Sequence, residues 1–167
     1  AKAFLEYEND DNIIVFASGV SNSKEISREE FDREKLLLND YLEKYGKNKH
    51  FIYFSTCSVY DTYFERSEYT KHKINMEKII IEKAFSYNIF RLPQVLGNNN
   101  KNQLIGFLYE SIKMEKSFQL FDIERNIIDI KDVFILVDKI LKENIFKNHI
   151  INIANPKNIK VLDLVNI

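Results

Sequence analysis

The chain has 167 residues and a formal net charge of −1, with 45% hydrophobic and 29% charged residues. These proportions are those of a globular domain with a substantial core, and a net charge near zero disfavours a nucleic-acid-binding protein, which would usually carry a basic face. The longest apolar runs, such as residues 13–17, are too short to cross a bilayer, and a single cysteine, Cys57, excludes an internal disulfide. We therefore expect a cytoplasmic protein with no nucleic-acid or membrane partner.

The first part of the chain predicts a strand followed by a long helix. Residues 1–7 have the apolar spacing of a helix end, and residues 13–17 (IIVFA) predict a strand covered on both faces. Residues 27–30 (SREE) have the form of a capping box, and Gly46 is a typical helix end. The helix predicted between them carries side chains at helical spacing: Phe31, Lys35, Leu38, Leu42 and Tyr45.

The alternation of strands and helices continues to residue 92. The patterns predict a strand over residues 51–55, a helix over 69–86 and a strand over 88–92, which Pro93 closes. Strands that alternate with helices of this length predict an α/β fold with a doubly wound parallel sheet.

The predicted elements become shorter after residue 97. They are a helix over residues 103–114, a strand over 118–121, an extended segment over 127–130, a helix over 132–141 capped by Asp132, a strand over 150–153 and the start of a helix over 161–167. Short, irregular elements are common in substrate-binding lobes. We therefore expect a core over residues 1–97 and a small, partial C-terminal lobe over 98–167, with elements that return to the core.

A tyrosine and a lysine four residues apart lie on one face of a helix, and three such pairs occur: Tyr45/Lys49, Tyr69/Lys73 and Tyr109/Lys113. An ammonium beside a phenol favours the phenolate, which would lower a tyrosine pKa that starts near 10 and prepare the phenol for proton transfer near neutral pH. Only Tyr69 and Lys73 follow a predicted buried strand that ends in hydroxyls, at Ser55 and Thr56. We expect a catalytic site there, with a solvated helix face as the alternative.

Six segments, taken in order, carry a resemblance to a known family. They are VFASGVSNS (15–23), FSTCSVYD (54–61), YTKHK (69–73), FRLPQVLGNNN (90–100), ERNIIDIKDV (124–133) and IINIANPKNIKVLDLV (150–165). They resemble motifs of the extended short-chain dehydrogenase/reductase family, the NAD-dependent nucleotide-sugar epimerases, dehydratases and reductases. The resemblance implies a Rossmann-like, dinucleotide-binding fold and NAD(P)-dependent epimerisation or keto-reduction of a nucleotide-activated sugar.

The resemblance also implies a role for each matching residue. Tyr69 would be the catalytic acid/base, Lys73 would bind the nicotinamide ribose and tune Tyr69, and Thr56 matches the family's catalytic Ser/Thr. The cofactor, NAD or NADP, would lie against Tyr69 and Lys73 and against Ala17, Ser18, Gly19, Leu92 and Pro93. The substrate would contact Gln94, and its diphosphate would contact Arg125, whose forked guanidinium suits that group.

The sequence departs from the family's pattern in its glycines. The turn Gly-x-Gly-x-x-Gly, which cradles the dinucleotide's pyrophosphate in this family, is not present. We expect that the sequence is truncated at both ends relative to the family. The missing turn leaves a second hypothesis open, a non-catalytic dinucleotide-binding or scaffold relative.

A second departure concerns the type of reaction. The family's 4,6-dehydratases carry an Asp-Glu pair just after the catalytic Thr, where this chain has Cys57 and Ser58. Neither residue is a carboxylic acid, so the sequence favours epimerisation or keto-reduction over elimination of water.

The other polar residues predict no further site. No spacing of His, Cys and carboxylates resembles a metal site. We expect Cys57 to fill space at a strand end, His72 to point away from the Tyr/Lys pair, and His50 and His149 to lie on the surface. The resemblance implies a homodimer built on the helices over residues 27–45 and 69–86.

Overall fold

The computed structural model describes residues 2–7, 10–23, 25–61, 67–97 and 104–165. The α-helices are α1 (Arg28–Tyr45), α2 (Glu68–Lys83), α3 (Leu104–Lys113) and α4 (Ile130–Lys142), with short 3-10 helices at Lys2–Tyr7 and Cys57–Tyr60. The strands are β1 (Ile13–Phe16), β2 (His50–Thr56), β3 (Ser86–Leu92), β4 (Gln94–Leu96), β5 (Glu124–Arg125), β6 (Ile127–Asp129), β7 (His149–Asn152) and β8 (Ile159–Lys160).

Four strands form the central sheet, in the order β1-β2-β3-β7 with all neighbours parallel. Ile13 lies opposite His50 at one end of the sheet, and Thr56 lies opposite Leu92 at the other. Because the strands are parallel, their carboxyl ends lie at one edge. The predicted α/β fold with a parallel sheet is confirmed.

Each face of the sheet buries its own cluster of apolar side chains, because successive residues of a strand point to opposite faces. On one face, Phe51, Tyr53 and Ile89 pack with residues of α1 and α2. On the other face, Ile52 and Phe90 pack with residues of α4 and with Phe4, Ile128 and Ile153. Strands covered on both sides need apolar residues at consecutive positions, which explains the uninterrupted runs in the sequence. The doubly wound arrangement is therefore confirmed.

Two helix boundaries differ from those predicted. The helix predicted to reach residue 86 ends at Lys83, and Ser86 already belongs to β3. The apolar residues Ala84 and Phe85 continue the helical pattern, and no glycine or proline marks the end. Helix α4 begins at Ile130 and is capped by Asp129 rather than Asp132, since Asp129 is extended and its Oδ1 accepts from the N–H of Lys131 at 2.7 Å.

Three further local predictions were wrong. Residues 118–121 are not in a strand, and residues 161–165 form turns where a helix was predicted to start. Ser27 does precede the first turn of α1, but its side chain makes no capping hydrogen bond. These segments carry weak local signals, so tertiary contacts decide their structure.

The division of the chain at residue 97 stays a prediction. Elements from beyond that residue complete the core, since β7 joins the central sheet and Val133, Val137 and Ile140 of α4 lie in one of its two clusters. Strand β4 pairs with β6 in a separate two-stranded sheet. Among the described residues, none of the helices combines the length and the apolar character that crossing a bilayer requires.

Leu38 tests the packing of α1 on the sheet. Its side chain is fully buried, whereas Leu36 of the same helix is 67% exposed. We expect Leu38→Ala to lower the free energy of unfolding by about 2–5 kcal/mol, because it leaves a cavity in the core. Leu36→Ala is the matched control and should change it by less than about 0.5 kcal/mol. Urea unfolding measures both, and equal effects of the two substitutions would contradict this packing.

Candidate active site

The carboxyl ends of three strands bring several of the predicted site residues to one edge of the sheet. Strand β1 ends at Phe16, opposite Tyr53, so Ala17, Ser18 and Gly19 continue from this edge. Strand β2 ends at Thr56 directly opposite Leu92, the last residue of β3, which Pro93 follows. In open α/β sheets, ligands bind in the crevice at the carboxyl ends of the strands.

Helix α2 brings Tyr69 and Lys73 to the same edge. The helix begins after Ser67, whose Oγ accepts a hydrogen bond from the N–H of Thr70 at 3.2 Å. Tyr69 is 8% exposed and Lys73 only 3%, and Lys73 Nζ lies 5.9 Å from the centre of the Tyr69 ring. Thr56 lies close enough to Tyr69 to lower its pKa, while its hydroxyl donates to Ser58 Oγ at 3.1 Å. The structure thus brings all three predicted catalytic residues together.

The two other Tyr/Lys pairs lie in different surroundings. Tyr109 is 62% exposed on α3, and α1 ends at Tyr45, so that Lys49 lies beyond the helix. Burial therefore separates Tyr69/Lys73 from the pairs with the same spacing.

Glu34 of α1 is the residue at the centre of this site, and sequence reasoning missed it. Its side chain is 0% exposed. Lys73 Nζ donates to Oε1 at 3.0 Å and Tyr53 Oη donates to the same oxygen at 2.8 Å. His72 Nε2 donates to Oε2 at 2.9 Å, and the backbone N–H of Val20 donates to Oε2 at 2.7 Å. One carboxylate therefore joins α1, α2, β2 and the loop after β1.

A sequence signal for Glu34 exists in the spacing of α1. The buried residues of this helix are Glu34, Leu38 and Leu42, four residues apart. The predicted apolar face included Lys35, which is exposed. A carboxylate placed in line with two core leucines indicates a buried charge, which needs a partner.

The surroundings of Glu34 keep it ionised. Burial alone would raise its pKa, but the hydrogen bond from His72, the charge of Lys73 and the bonds from Val20 and Tyr53 outweigh burial and lower the pKa to about 2. Burial lowers the pKa of Lys73, and the carboxylate of Glu34 opposes that shift. Glu34 and Lys73 therefore form a buried ion pair with no net charge.

The expectation that Lys73 lowers the pKa of Tyr69 was wrong for this structure. Burial and the negative charge of Glu34 raise that pKa to about 12, although the nearby side chain of Thr56 acts in the opposite direction. The ammonium of Lys73 is directed to Glu34 Oε1 and to Tyr53 Oη, each at 3.0 Å. Its charge is thus compensated by a carboxylate, and Tyr69 is a neutral phenol at physiological pH.

Gly19, in the loop after β1, lies directly against the ion pair of Glu34 and Lys73. A Cβ atom at this position would lie 2.6 Å from Glu34 Oε1 and 2.8 Å from Lys73 Nζ. No larger residue fits there without moving the two charged side chains. The glycine of the predicted cofactor loop is thus explained by its close approach to Lys73.

A second ion pair, between Arg91 and Glu77, joins β3 to α2 near the same edge of the sheet. Arg91 of β3 donates to both carboxylate oxygens of Glu77 on α2, at 2.9 and 2.6 Å. The hydroxyl of Ser55 donates to Glu77 Oε1 at 2.5 Å, and Arg91 Nη1 donates to the hydroxyl of Tyr60 at 2.8 Å. The bidentate pair raises the pKa of Arg91 well above its usual range. These bonds fix α2 against β2 and β3, and so fix Tyr69 against Thr56.

The two predicted substrate-binding residues lie on separate strands. Gln94 is in β4, opposite Ile127 and two residues beyond Leu92. Arg125 is exposed in β5, which pairs with β8 and not with the central sheet. Their roles stay predictions.

The histidines and the cysteine depart in part from expectation. His72 is buried, stacks on Phe31 at a centroid distance of 4.6 Å and bonds Glu34, so it does belong to the site. His50 is partly buried, with its ring nitrogens bonded to Ser86 and Asn88. Cys57 is half-buried at the end of β2, and burial raises the pKa of its thiol, as suits a space-filling residue. His149 is exposed, as predicted.

A surface cavity of about 260 Å³ lies at the opposite edge of the sheet, near the amino ends of the strands. Ile13, His50 and Asn88 are among the residues that line it, together with Lys147. None of the predicted site residues borders it, so the cavity is separate from the candidate site.

The fold is shared with solved structures of known enzymes. No protein-family model matches the sequence, and a comparison with curated proteins found no match. The Bordetella bronchiseptica enzyme WbmG, solved in complex with NAD, is 15% identical at a TM-score of 0.75, with 98% of this chain and 58% of that chain covered. The dTDP-glucose 4,6-dehydratase of Bacillus anthracis, also solved with NAD, is 16% identical at 0.73, covering 98% and 57%.

A third similar structure is the UDP-glucose 4-epimerase of Thermotoga maritima with UDP-glucose, 16% identical at a TM-score of 0.71, covering 98% of this chain and 62% of that chain. The chain thus spans less than two thirds of the length of these three structures. At such identities the similarity establishes the fold, which is the Rossmann-like fold that the resemblance implied.

The substitution Gly19→Ala tests the close approach of the loop to the ion pair. Its methyl group would separate Glu34 from Lys73, and we expect the free energy of unfolding to fall by about 1–3 kcal/mol, as in other overpacked sites. Ser18→Ala, at the exposed neighbouring position, is the control and should change it by less than about 0.5 kcal/mol. Chemical unfolding measures both. A Gly19→Ala variant as stable as the wild type would show that the loop does not lie on the pair.

Proposed function

We propose that the chain is part of an NAD(P)-dependent enzyme of the extended short-chain dehydrogenase/reductase family, an epimerase or keto-reductase acting on a nucleotide-activated sugar. The observation that carries this proposal is the burial of Tyr69, Lys73 and Thr56 at the carboxyl edge of a parallel sheet, with Lys73 Nζ 5.9 Å from the Tyr69 ring. The fold shared with NAD-bound and UDP-glucose-bound enzymes supports it.

The residues at this edge fit the nicotinamide half of the proposed cofactor. Ala17 and Ser18 are exposed beside the strand ends, with Leu92 and Pro93 partly exposed across the edge. Within the described part of the chain, Glu34 and Tyr53 use two of the three N–H groups of Lys73, and the third would serve a ribose hydroxyl. A bound dinucleotide would supply or accept the hydride.

Tyr69 and Thr56 would carry out the proton transfer to or from the substrate oxygen. A phenol and a hydroxyl at the same edge of the sheet can hold a substrate oxygen between them, and the phenol can exchange a proton with it. Neither Cys57 nor Ser58 is a carboxylic acid, so this arrangement supports epimerisation or keto-reduction rather than loss of water.

The other parts of the proposal rest on the resemblance. Gln94 and Arg125 would contact the nucleotide sugar, and α1 and α2 would form the interface of a homodimer. The cytoplasm is the proposed location, and surface-polysaccharide precursor synthesis is the proposed context.

A second candidate function, a non-catalytic relative that binds a dinucleotide or serves as a scaffold, is supported by the buried ion pair. Lys73 is 3% exposed and is bonded to Glu34 and Tyr53, so it already has a structural role. Such a protein would keep its fold and its ligand without turnover.

Tyr69→Phe distinguishes the two candidates. The experiment measures conversion of nucleotide hexoses in the presence of NAD(P), by chromatography of the sugars and by the absorbance of reduced nicotinamide. We expect the full chain to turn over at least one of them, and the substitution to slow it by about 10²-fold or more, because the proton-transfer group is lost.

The control is Tyr109→Phe, which removes the tyrosine of an exposed Tyr/Lys pair with the same spacing and should leave the rate unchanged. Turnover that survives in Tyr69→Phe would refute the catalytic assignment. Dinucleotide binding by a wild type that converts none of the sugars would favour the non-catalytic relative.

A further inference from the structure

Glu34 is buried deeper than any residue predicted for the site, and it contacts Lys73 directly. We propose that Glu34 is a positioning residue, which holds Lys73 in place and cancels its charge at Tyr69, so that Tyr69 stays protonated and acts as a proton donor. This inference rests on the proposed function, whose direction of reaction it specifies.

The hydrogen bonds of the Glu34 carboxylate fix its position relative to Lys73. Glu34 accepts hydrogen bonds from Val20, Tyr53, His72 and Lys73, so both of its oxygens are occupied from several directions. A carboxylate held by four donors in a buried position cannot turn away from the ammonium without leaving buried donors unpaired. The relative position of Glu34 and Lys73 is therefore fixed.

The charged groups around the Tyr69 phenol are paired with one another. Lys73 is the cation beside the ring of Tyr69. Among the residues that the structure describes, the groups that face Tyr69 or lie one contact away from it are, by element, Glu34 of α1, Lys73 and Glu77 of α2, and Tyr53 and Thr56 of β2. Glu77 is already paired with Arg91, and Glu34 is paired with Lys73. No uncompensated positive charge among these groups favours a phenolate.

A protonated Tyr69 can donate a proton but cannot accept one. A neutral phenol gives a proton to an oxygen that becomes negative, but it cannot take a proton from an alcohol until it has lost its own. A bound reduced nicotinamide dinucleotide would supply a hydride to a carbonyl carbon, and Tyr69 Oη would give its proton to the carbonyl oxygen. The phenolate left on Tyr69 then takes a proton from water. The arrangement thus favours reduction of a carbonyl over oxidation of an alcohol.

The test is a pH titration of the tyrosines by NMR, with ¹³C at the ring carbon that bears the oxygen, in the cofactor-free full chain. Tyr69→Phe identifies the signal of Tyr69. In the wild type we expect Tyr69 to titrate above pH ~11, consistent with its raised pKa of about 12. In Glu34→Gln we expect its ionisation constant to rise about tenfold or more, because the carboxylate no longer compensates Lys73.

Two further variants separate this role from a purely structural one. Glu30→Gln removes an exposed carboxylate of the same helix, which pairs with Arg33, and should leave the titration of Tyr69 unchanged. Glu34→Asp keeps the charge and should keep the ionisation constant within about threefold of the wild type. A structural role alone would lower stability in Glu34→Gln without moving the titration of Tyr69.

The inference is overturned if Tyr69 titrates below pH ~9 in the wild type, a result that does not depend on the folding of any variant. It is also overturned if folded Glu34→Gln titrates as the wild type does. Because no turnover enters this measurement, a wild type without activity would refute the proposed function alone. With activity, the decline of carbonyl reduction at high pH should move to lower pH in Glu34→Gln by the same amount as the titration.

Discussion

The buried ion pair between Glu34 and Lys73 is the interaction on which the site depends. Removing two charges from water costs several kcal/mol per ion, so such a pair is stable only when further hydrogen bonds satisfy it. Here Val20, Tyr53 and His72 supply those bonds. The pair therefore fixes α1, α2, β2 and the loop after β1 in one arrangement, and it compensates Lys73, the cation beside the Tyr69 ring.

A second ion pair completes the same edge of the sheet. Glu77 and Arg91 join α2 to β3, and Ser55 ties that pair to the end of β2. Thr56 follows Ser55 at the end of β2, and Tyr69 lies on the helix that carries both Lys73 and Glu77. The edge is thus preorganised, which is what proton transfer between fixed partners requires.

Much of this arrangement could be predicted from the sequence, because the central strands are apolar runs covered on both faces and Tyr69 follows such a strand. Glu34 was missed, because its spacing from Leu38 and Leu42 is a weak signal in a highly charged helix. Glu34 lies in a charged stretch over residues 28–35 (REEFDREK), where any acidic residue of an exposed helix face looks the same. Only the packing of α1 shows that this carboxylate faces the core. The end of α2 and the start of α4 were misplaced for a similar reason, since the sequence around each of them fits more than one helix boundary.

The whole site requires that Glu34 remain ionised in the core and so compensate Lys73. The most direct test is a ¹³C NMR titration of the glutamate carboxyl groups, with Glu34→Gln used to identify the signal of Glu34. We expect a pKa of about 2 for Glu34, well below the ordinary value of 4.5. The pair would then add stability that is complete above pH ~4.5 and is lost as the pH falls towards 2. A pKa of 4.5 or higher for Glu34 in the folded chain would contradict the account.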